Sequence, residues 1–438
     1  MEMRTMRKVD WTGPAGVAAL VIASACGADR ASSTAEPGCE PDNGGITLPD
    51  GFCATVFADL AARPRHLVVR ENGDVFVAAY PPGRDSTGGG VYALRDSDGD
   101  GRADTTSRFG PEAGGSGIAL AAGHLWLAMN GSILRFPVGA DELSPTGQPE
   151  TIVSGLPADR SHAAKSIALS ADDRIFVNIG SPTNSCQEED RRDGSKGIDP
   201  CPQLQARAGI WTFDAGRRGQ TQADGERFAT GIRNAVAIAV NPDNGRLFAM
   251  QHGRDQLAAN WRSLFNDEQG AEKPAEELLA VDKGDDFGWP YCYYDPELGV
   301  KVLAPEYGGD GRTAGRCADK EGPLFAFPAH WAPDGLLFYR GDQFPARYRE
   351  GLFIAFHGSW NRAPLSQGGY KVVFLPFNAG SPMTSFEVFA DGFAGASMQP
   401  GEAAHRPVGL AQAPDGSIYV TDDAGGRVWR IFYRAARS

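Results

Sequence analysis

Helical periodicity is nearly absent from this chain of 438 residues. Only "DQLAANWRSLFND" spaces its apolar residues at helical intervals, and it reads as a short helix within a loop. That absence excludes helical bundles and argues against alternating strand and helix architectures. Positive charge is also scarce. Lys and Arg total 42 against 55 Asp and Glu, and the resulting net charge of -13 leaves no basis for wholesale phosphate binding, so no nucleic-acid partner is expected. No GxGxxG follows a strand, and there is no Walker loop, HExxH or GxSxG elbow, which disfavours Rossmann-type nicotinamide and flavin oxidoreductases and elbow-type serine hydrolases. No CxxC occurs, so a zinc site is the weaker reading of the cysteines.

What is present is an ordinary globular balance, 42% hydrophobic and 22% charged, enough to bury a large core. At the N-terminus, basic residues up to Lys8 precede an uncharged apolar run from Ala15 to Ala25 that ends in small residues. This is the shape of a secretory signal, too short for an ordinary membrane span. "IASAC-G" also resembles a bacterial lipoprotein cleavage site with Cys26 as the lipidated residue. The expected organisation is therefore a signal over 1–25, a polar linker over 26–49 and one folded domain over 50–438. The protein is expected to be exported, periplasmic or extracellular, with membrane contact only through a lipid on Cys26.

Cys39, Cys53, Cys186, Cys201, Cys292 and Cys317 then form an even set, which in an exported chain points to disulfides. Pairing each with its sequence neighbour closes three short loops. Proximity is the only ground for that choice among the connectivities six cysteines permit.

Repetition is the strongest organising signal. "HLVVRENGDVFVAAY" at His66, "GIALAAGHLWLAMNGSILRFPV" at Gly117, "SIALSADDRIFVNIG" at Ser166 and "AIAVNPDNGRLFAMQHG" at Ala237 share one plan of strand, polar turn and strand. "GLLFYRGDQFPARYREGLFIAFHG" at Gly335 stretches it, and "GLAQAPDGSIYVTDDAGGRVWRIFY" at Gly409 repeats it cleanly. Six such units predict an all-β, six-bladed β-propeller. "FCATVFADL", ahead of the first copy, is expected to complete the last blade, and long insertions after copies three, four and five are expected to crowd one face.

Polar residues stand where the innermost strands begin. His162 precedes the third copy, Arg233 and Asn234 the fourth, His405 and Arg406 the sixth, and Arg65 and His66 the first. These are expected to converge on one central pocket, the alternative being that they simply line a wet polar channel. "DSDGDGRAD" aims Asp96, Asp98, Asp100 and Asp104 at one hard cation around a glycine turn, a candidate structural calcium loop, although acidic hairpin tips arise without metal.

Taken in order, "HAAKSIALSADDRIFVNIGSPTNSC", "GIRNAVAIAVNP", "MQHGRDQL", "DFGWPYC", "FIAFHGSWNR" and "RPVGLAQAPDGSIYVTDD" resemble the sorbosone dehydrogenase group of soluble quinoproteins. These are relatives of the soluble glucose dehydrogenase that depends on pyrroloquinoline quinone (PQQ). The resemblance runs from about Asp50 to the C-terminus. It implies oxidation of a sugar, an aldose or pyranose, at C1, with hydride passed to PQQ and electrons to an unidentified acceptor. It makes His162 the general base, a role suited to imidazole. Arg233 and Asn234 would hold and polarise the quinone carbonyls, and Arg406 the cofactor carboxylates. The backbone carbonyls of Gly253 and Arg254, with Gln251 nearby, would hold a calcium ion. Arg362, Lys165 and Arg65 complete the expected cofactor contacts. Where that group tends to carry a tryptophan and an arginine soon after the histidine, this chain has Ala163 and Lys165, which removes an aromatic surface and a planar guanidinium. Two other readings stay open, a non-catalytic carbohydrate- or protein-binding propeller and a calcium-dependent lactonase.

Overall fold

The computed structural model describes residues 38–434 apart from 84, 160 and 379. The signal segment and Cys26 lie outside the described residues. Six sheets of four or five strands follow one another in chain order, antiparallel except where Gln220–Thr221 joins the second in parallel, each led by an innermost strand: Arg63–Val69, Gly117–Ala121, Ile167–Leu169, Ala237–Val240, Pro333–Phe338 and Pro407–Gln412. We number the blades 1 to 6 in that order. Phe52–Asp59 pairs with Arg427–Tyr433 as the outer strand of blade 6. The first strand in sequence thus closes the ring on the last blade, as expected.

Each blade packs against the next through its own apolar cluster. Phe57, Leu67, Val75 and Tyr419 fill the space between blades 6 and 1, and Phe176, Ile210, Leu247 and Leu279 the space between blades 3 and 4. Burying one such side chain is worth about 1.5–3 kcal/mol, so the alternating strands of the sequence repeat are what hold neighbouring blades together. Around the centre the strands approach closely. A Cβ at Gly117 would lie 2.6 Å from the Lys165 carbonyl oxygen, and one at Gly409 would lie 2.5 Å from that of Arg65, so glycine is required there.

Part of the segment expected as linker is folded. Cys39 bonds to Cys53, Thr47 bridges to Asp391, and the Gly44 carbonyl accepts from Trp429 Nε1 at 3.1 Å. The physical reason is apolar: Ile46 and Leu48 cover the cluster between blades 5 and 6. The other two disulfides join Cys186 to Cys201 and Cys292 to Cys317, so all three neighbour pairings form.

Candidate functional site

The loops joining second to third strands in blades 3, 4 and 5, together with the segments that lead into the inner strands, meet over the centre of the ring. Asp255 is where they meet. Its Oδ2 accepts from Arg191 Nη2 and Arg233 Nη2, both at 2.9 Å, and its Oδ1 from Asn361 Nδ2 at 3.0 Å. Burial opposes its charge, but Arg233 and Arg191 hold its carboxyl well below the usual carboxylate range.

His162 lies half-buried at the mouth of blade 3 in the left-handed region, φ 49°, a conformation that a non-glycine residue adopts at a cost. Its Nδ1 donates to the Ser181 carbonyl oxygen at 2.8 Å, with Ser181 Oγ at 3.2 Å. That bond places the proton on Nδ1 and leaves Nε2 a lone pair with no partner among the described residues. Burial first, then the charge of Arg233, push its pKa down to about 3. Gly180 makes the arrangement possible, since a Cβ there would sit 2.6 Å from His162 Cβ and 2.7 Å from Asn234 Oδ1.

Arg233 is buried and fully engaged. Its Nε and Nη2 bond the backbone oxygen and Oδ1 of Asn184, and Nη1 donates to the Gly253 carbonyl oxygen at 2.9 Å. Asn234 Oδ1 accepts from Asn178 Nδ2 at 3.0 Å. The structure therefore brings His162, Arg233, Asn234 and the Gly253–Arg254 loop together. The Gly253 N–H donates to Glu276 Oε2 at 2.8 Å, and burial raises the Glu276 pKa to about 7. The Arg254 side chain turns away to Glu306 and Asn260, which leaves only its backbone for the site. Arg406 bonds the His357 and Gly358 carbonyls through Nε and Nη2, and its Nη1 has no hydrogen-bond partner among the described residues.

Beneath this lies a charged floor. Arg65 bridges Asp334 at 3.1 Å and Asp423 at 2.7 Å, His252 lies 3.2 Å from Asp334 and His357 2.7 Å from Asp423. Despite burial, Arg65 and these histidines hold both carboxyls well below the usual range.

Several expected contacts are not available. Arg65 spends its guanidinium on Asp334, Asp423 and Ser116 and supports the site rather than facing a ligand. Arg362 is tied by Nη1 to the Ala271 and Ala329 carbonyls and by Nε to that of Ser366. Lys165 is sealed from solvent, its Nζ bonded to the Ala163 carbonyl at 2.5 Å. The cause is local: the chain doubles back over it, and Arg207 pins that loop through Asp159 and Ser161. Burial, then Arg207, lower the Lys165 pKa to about 7. On the Asp96 hairpin, at the far end of blade 1, Asp96, Asp98 and Asp104 gather their carboxylates within 4.8 Å of one another. Asp100 does not join them, because its exposed carboxylate accepts from the Arg102 N–H instead.

Reading the sequence missed Asp255 and Asn184, although "MQHGRDQL" and "SPTNSC" contain them. Nothing in their local spacing marks either one; only the meeting of two loops distant in sequence does.

The fold and site define a six-bladed propeller with an accessible imidazole set among buried, paired arginines on one face. Residues 46–434 match the TrAA12-like family, and the chain belongs to it. A "Pyrroloquinoline quinone-dependent sugar dehydrogenase" from Hypocrea jecorina is 24% identical over 213 residues, 45% of this chain and 46% of that protein. The chain spans about half the length of the curated relatives it matches. Among solved structures, the holo form of the pyranose dehydrogenase PQQ domain from Coprinopsis cinerea aligns with a TM-score of 0.71 at 20% identity, covering 91% of this chain and 98% of that one. A calcium structure of a Trichoderma reesei family AA12 enzyme aligns with a TM-score of 0.70 at 18% identity, covering 89% and 97%. These likenesses establish the fold.

Proposed function

We propose that this protein is a PQQ- and calcium-dependent sugar dehydrogenase that oxidises an aldose or pyranose at C1 and passes electrons to an external acceptor. The observation that carries this reading is the His162 imidazole, proton fixed on Nδ1 and Nε2 open, beside Arg233 and Asn234. Names of relatives support the cofactor and the substrate class, and the calcium structure of a relative supports the ion.

The residues present fit such a cofactor. Gly180 lets His162 and Asn234 stand together where a Cβ would clash with both, and cationic groups suit an anionic quinone. The Gly253 carbonyl has a second lone pair beyond its bond to Arg233, and with the Arg254 carbonyl would hold the calcium. Bound PQQ would supply a two-electron acceptor for the hydride leaving C1, with calcium as Lewis acid. His162 Nε2 takes the C1 hydroxyl proton as the hydride leaves, so the sugar loses one proton to the base and one hydride from C1, two hydrogens and one electron pair in all. Arg233 offers fixed positive charge at the site without reorganisation, because its position is already set by Asn184 and Asp255. Arg406 Nη1, without a hydrogen-bond partner among the described residues, would bind a cofactor carboxylate.

A lactonase would need carboxylates free for calcium at the centre, whereas Asp334 and Asp423 are committed to Arg65, His252 and His357. The three disulfides support an oxidising, exported setting, and lipid on Cys26 belongs to the same proposal. The test is reconstitution of metal-stripped protein with PQQ and calcium, followed by dye reduction with a panel of aldoses. Turnover that needs both additions supports the reading. Saturable sugar binding without dye reduction would replace it with a binding propeller, and acid release from a lactone with calcium alone would replace it with a lactonase.

A further inference from the structure

Trp360 is a large aromatic side chain left in solvent beside the site. Half of it, 50%, is exposed, and no hydrogen bond or ring contact joins its indole to another described residue. Isolated exposed apolar residues are ordinary, but the backbone on both sides of this one is fixed. On one side Ser359 is buried, its carbonyl accepts from Tyr370 Oη at 2.5 Å, and its N–H donates to Gly368 at 2.8 Å. On the other, Asn361 donates to Asp255, and Arg362 is tied to three carbonyls.

The same short segment reaches across the site. Its first residues, His357 and Gly358, accept from Arg406, and Asn361 touches the carboxylate that pairs with Arg233. Trp360 therefore stands between two groups of the proposed cofactor site, on a segment whose bonds are already made. We propose that Trp360 is the platform on which the sugar ring stacks, a role that the small Ala163 beside His162 cannot fill. This inference rests on the proposed function and adds a determinant of substrate choice to it.

The chemistry favours a sugar over a protein. An indole face carries negative quadrupole that attracts the polarised C–H face of a pyranose, while a nearby amide and carboxylate suit its hydroxyls. A docked protein acceptor would bury on the order of 800 Å² of this surface. Among the described residues, the exposed large apolar groups joined through Tyr370 are Trp360 and Met398, whose carbonyl lies 3.5 Å from Tyr370 Oη, too few for the core of such a patch.

The experiment compares wild type, Trp360→Ala and Trp360→Phe after PQQ and calcium loading. PQQ uptake is followed by absorbance, and KM is measured separately for the sugar and for the dye. Expected is a rise of about tenfold in sugar KM for Trp360→Ala, partial recovery in Trp360→Phe, and unchanged PQQ stoichiometry and dye KM. An unchanged sugar KM overturns the inference, and so does a change confined to the dye KM, which would assign Trp360 to acceptor docking. If wild type takes up no PQQ, the proposed function fails separately. Calorimetric titration of the same sugars into wild type and Trp360→Ala then decides the platform, equal affinities overturning it and weaker binding by the variant sustaining it.

Discussion

Asn184 holds Arg233 from two directions, with its backbone oxygen 3.2 Å from Nε and its side-chain Oδ1 3.1 Å from Nη2. The same residue accepts from Trp289 Nε1 and exchanges two bonds with the Asp255 backbone, each at 2.9 Å. One amide thus fixes the positions of both members of the central ion pair. Asn184→Ala is expected to lower stability by about 1–3 kcal/mol, the cost of unsatisfied buried partners, and to weaken PQQ binding at least about tenfold. Thermal unfolding and a PQQ titration check the two effects.

Asp255 compensates two arginines. Replacing it with Asn keeps the shape but leaves Arg233 buried without its counter-charge, at an expected cost of about 3 kcal/mol. Because its folded pKa is depressed, the stability Asp255 adds is complete above the ordinary carboxylate pKa near 4 and is lost as pH falls below it. The gap in melting temperature between wild type and Asp255→Asn is therefore expected to be widest near neutrality and to shrink towards pH 3.

His162 has a folded pKa of about 3 against about 6.5 when unfolded. Between those values the unfolded chain binds the extra proton, so the burden His162 places on folding grows as pH falls through that window. The kinetic consequence has a definite sign. As a neutral base His162 keeps its lone pair through mild acid, and kcat/KM is expected to show no loss attributable to it at pH 6.5. A pH profile with an acid limb centred at 6.5 that persists when the other histidines are replaced would contradict this.

Lys165 is a sealed amine with no carboxylate bridged to it among the described residues. Its folded pKa of about 7 lies below its ordinary 10.5, so the unfolded state binds more protons between them and the penalty is greatest at and below neutrality. Lys165→Met, of similar length, is expected to stabilise the fold by on the order of 1–2 kcal/mol at pH 6, with the gain shrinking as pH approaches 10. Melting temperatures at pH 6 and pH 9 check both the sign and the trend.

The propeller was legible in the sequence because each blade repeats the same alternation of short apolar strands and polar turns, and because "FCATVFADL" had no partner of its own until the ring closed. The disulfides were legible because loop closure favours near neighbours. His162, Arg233 and Asn234 were legible from their place before inner strands. The misplaced contacts share a cause. Whether Arg65, Arg362 or Lys165 faces a ligand depends on which carboxylates and carbonyls arrive from other blades, and Asp334, Ala271 and Ala163 are not marked for that role by any local pattern. Asp255 and Asn184 were missed for the same reason, since their importance exists only where two inserted loops meet.

The central claim is that His162 acts as the base beside a bound quinone. The most direct measurement is a paired PQQ titration of wild type and His162→Gln with calcium, followed by dye reduction with a saturating aldose. The account expects equal uptake of PQQ, with turnover reduced by about 10²–10⁴-fold in the variant. Full turnover by His162→Gln, or no PQQ uptake by the wild type, would contradict it.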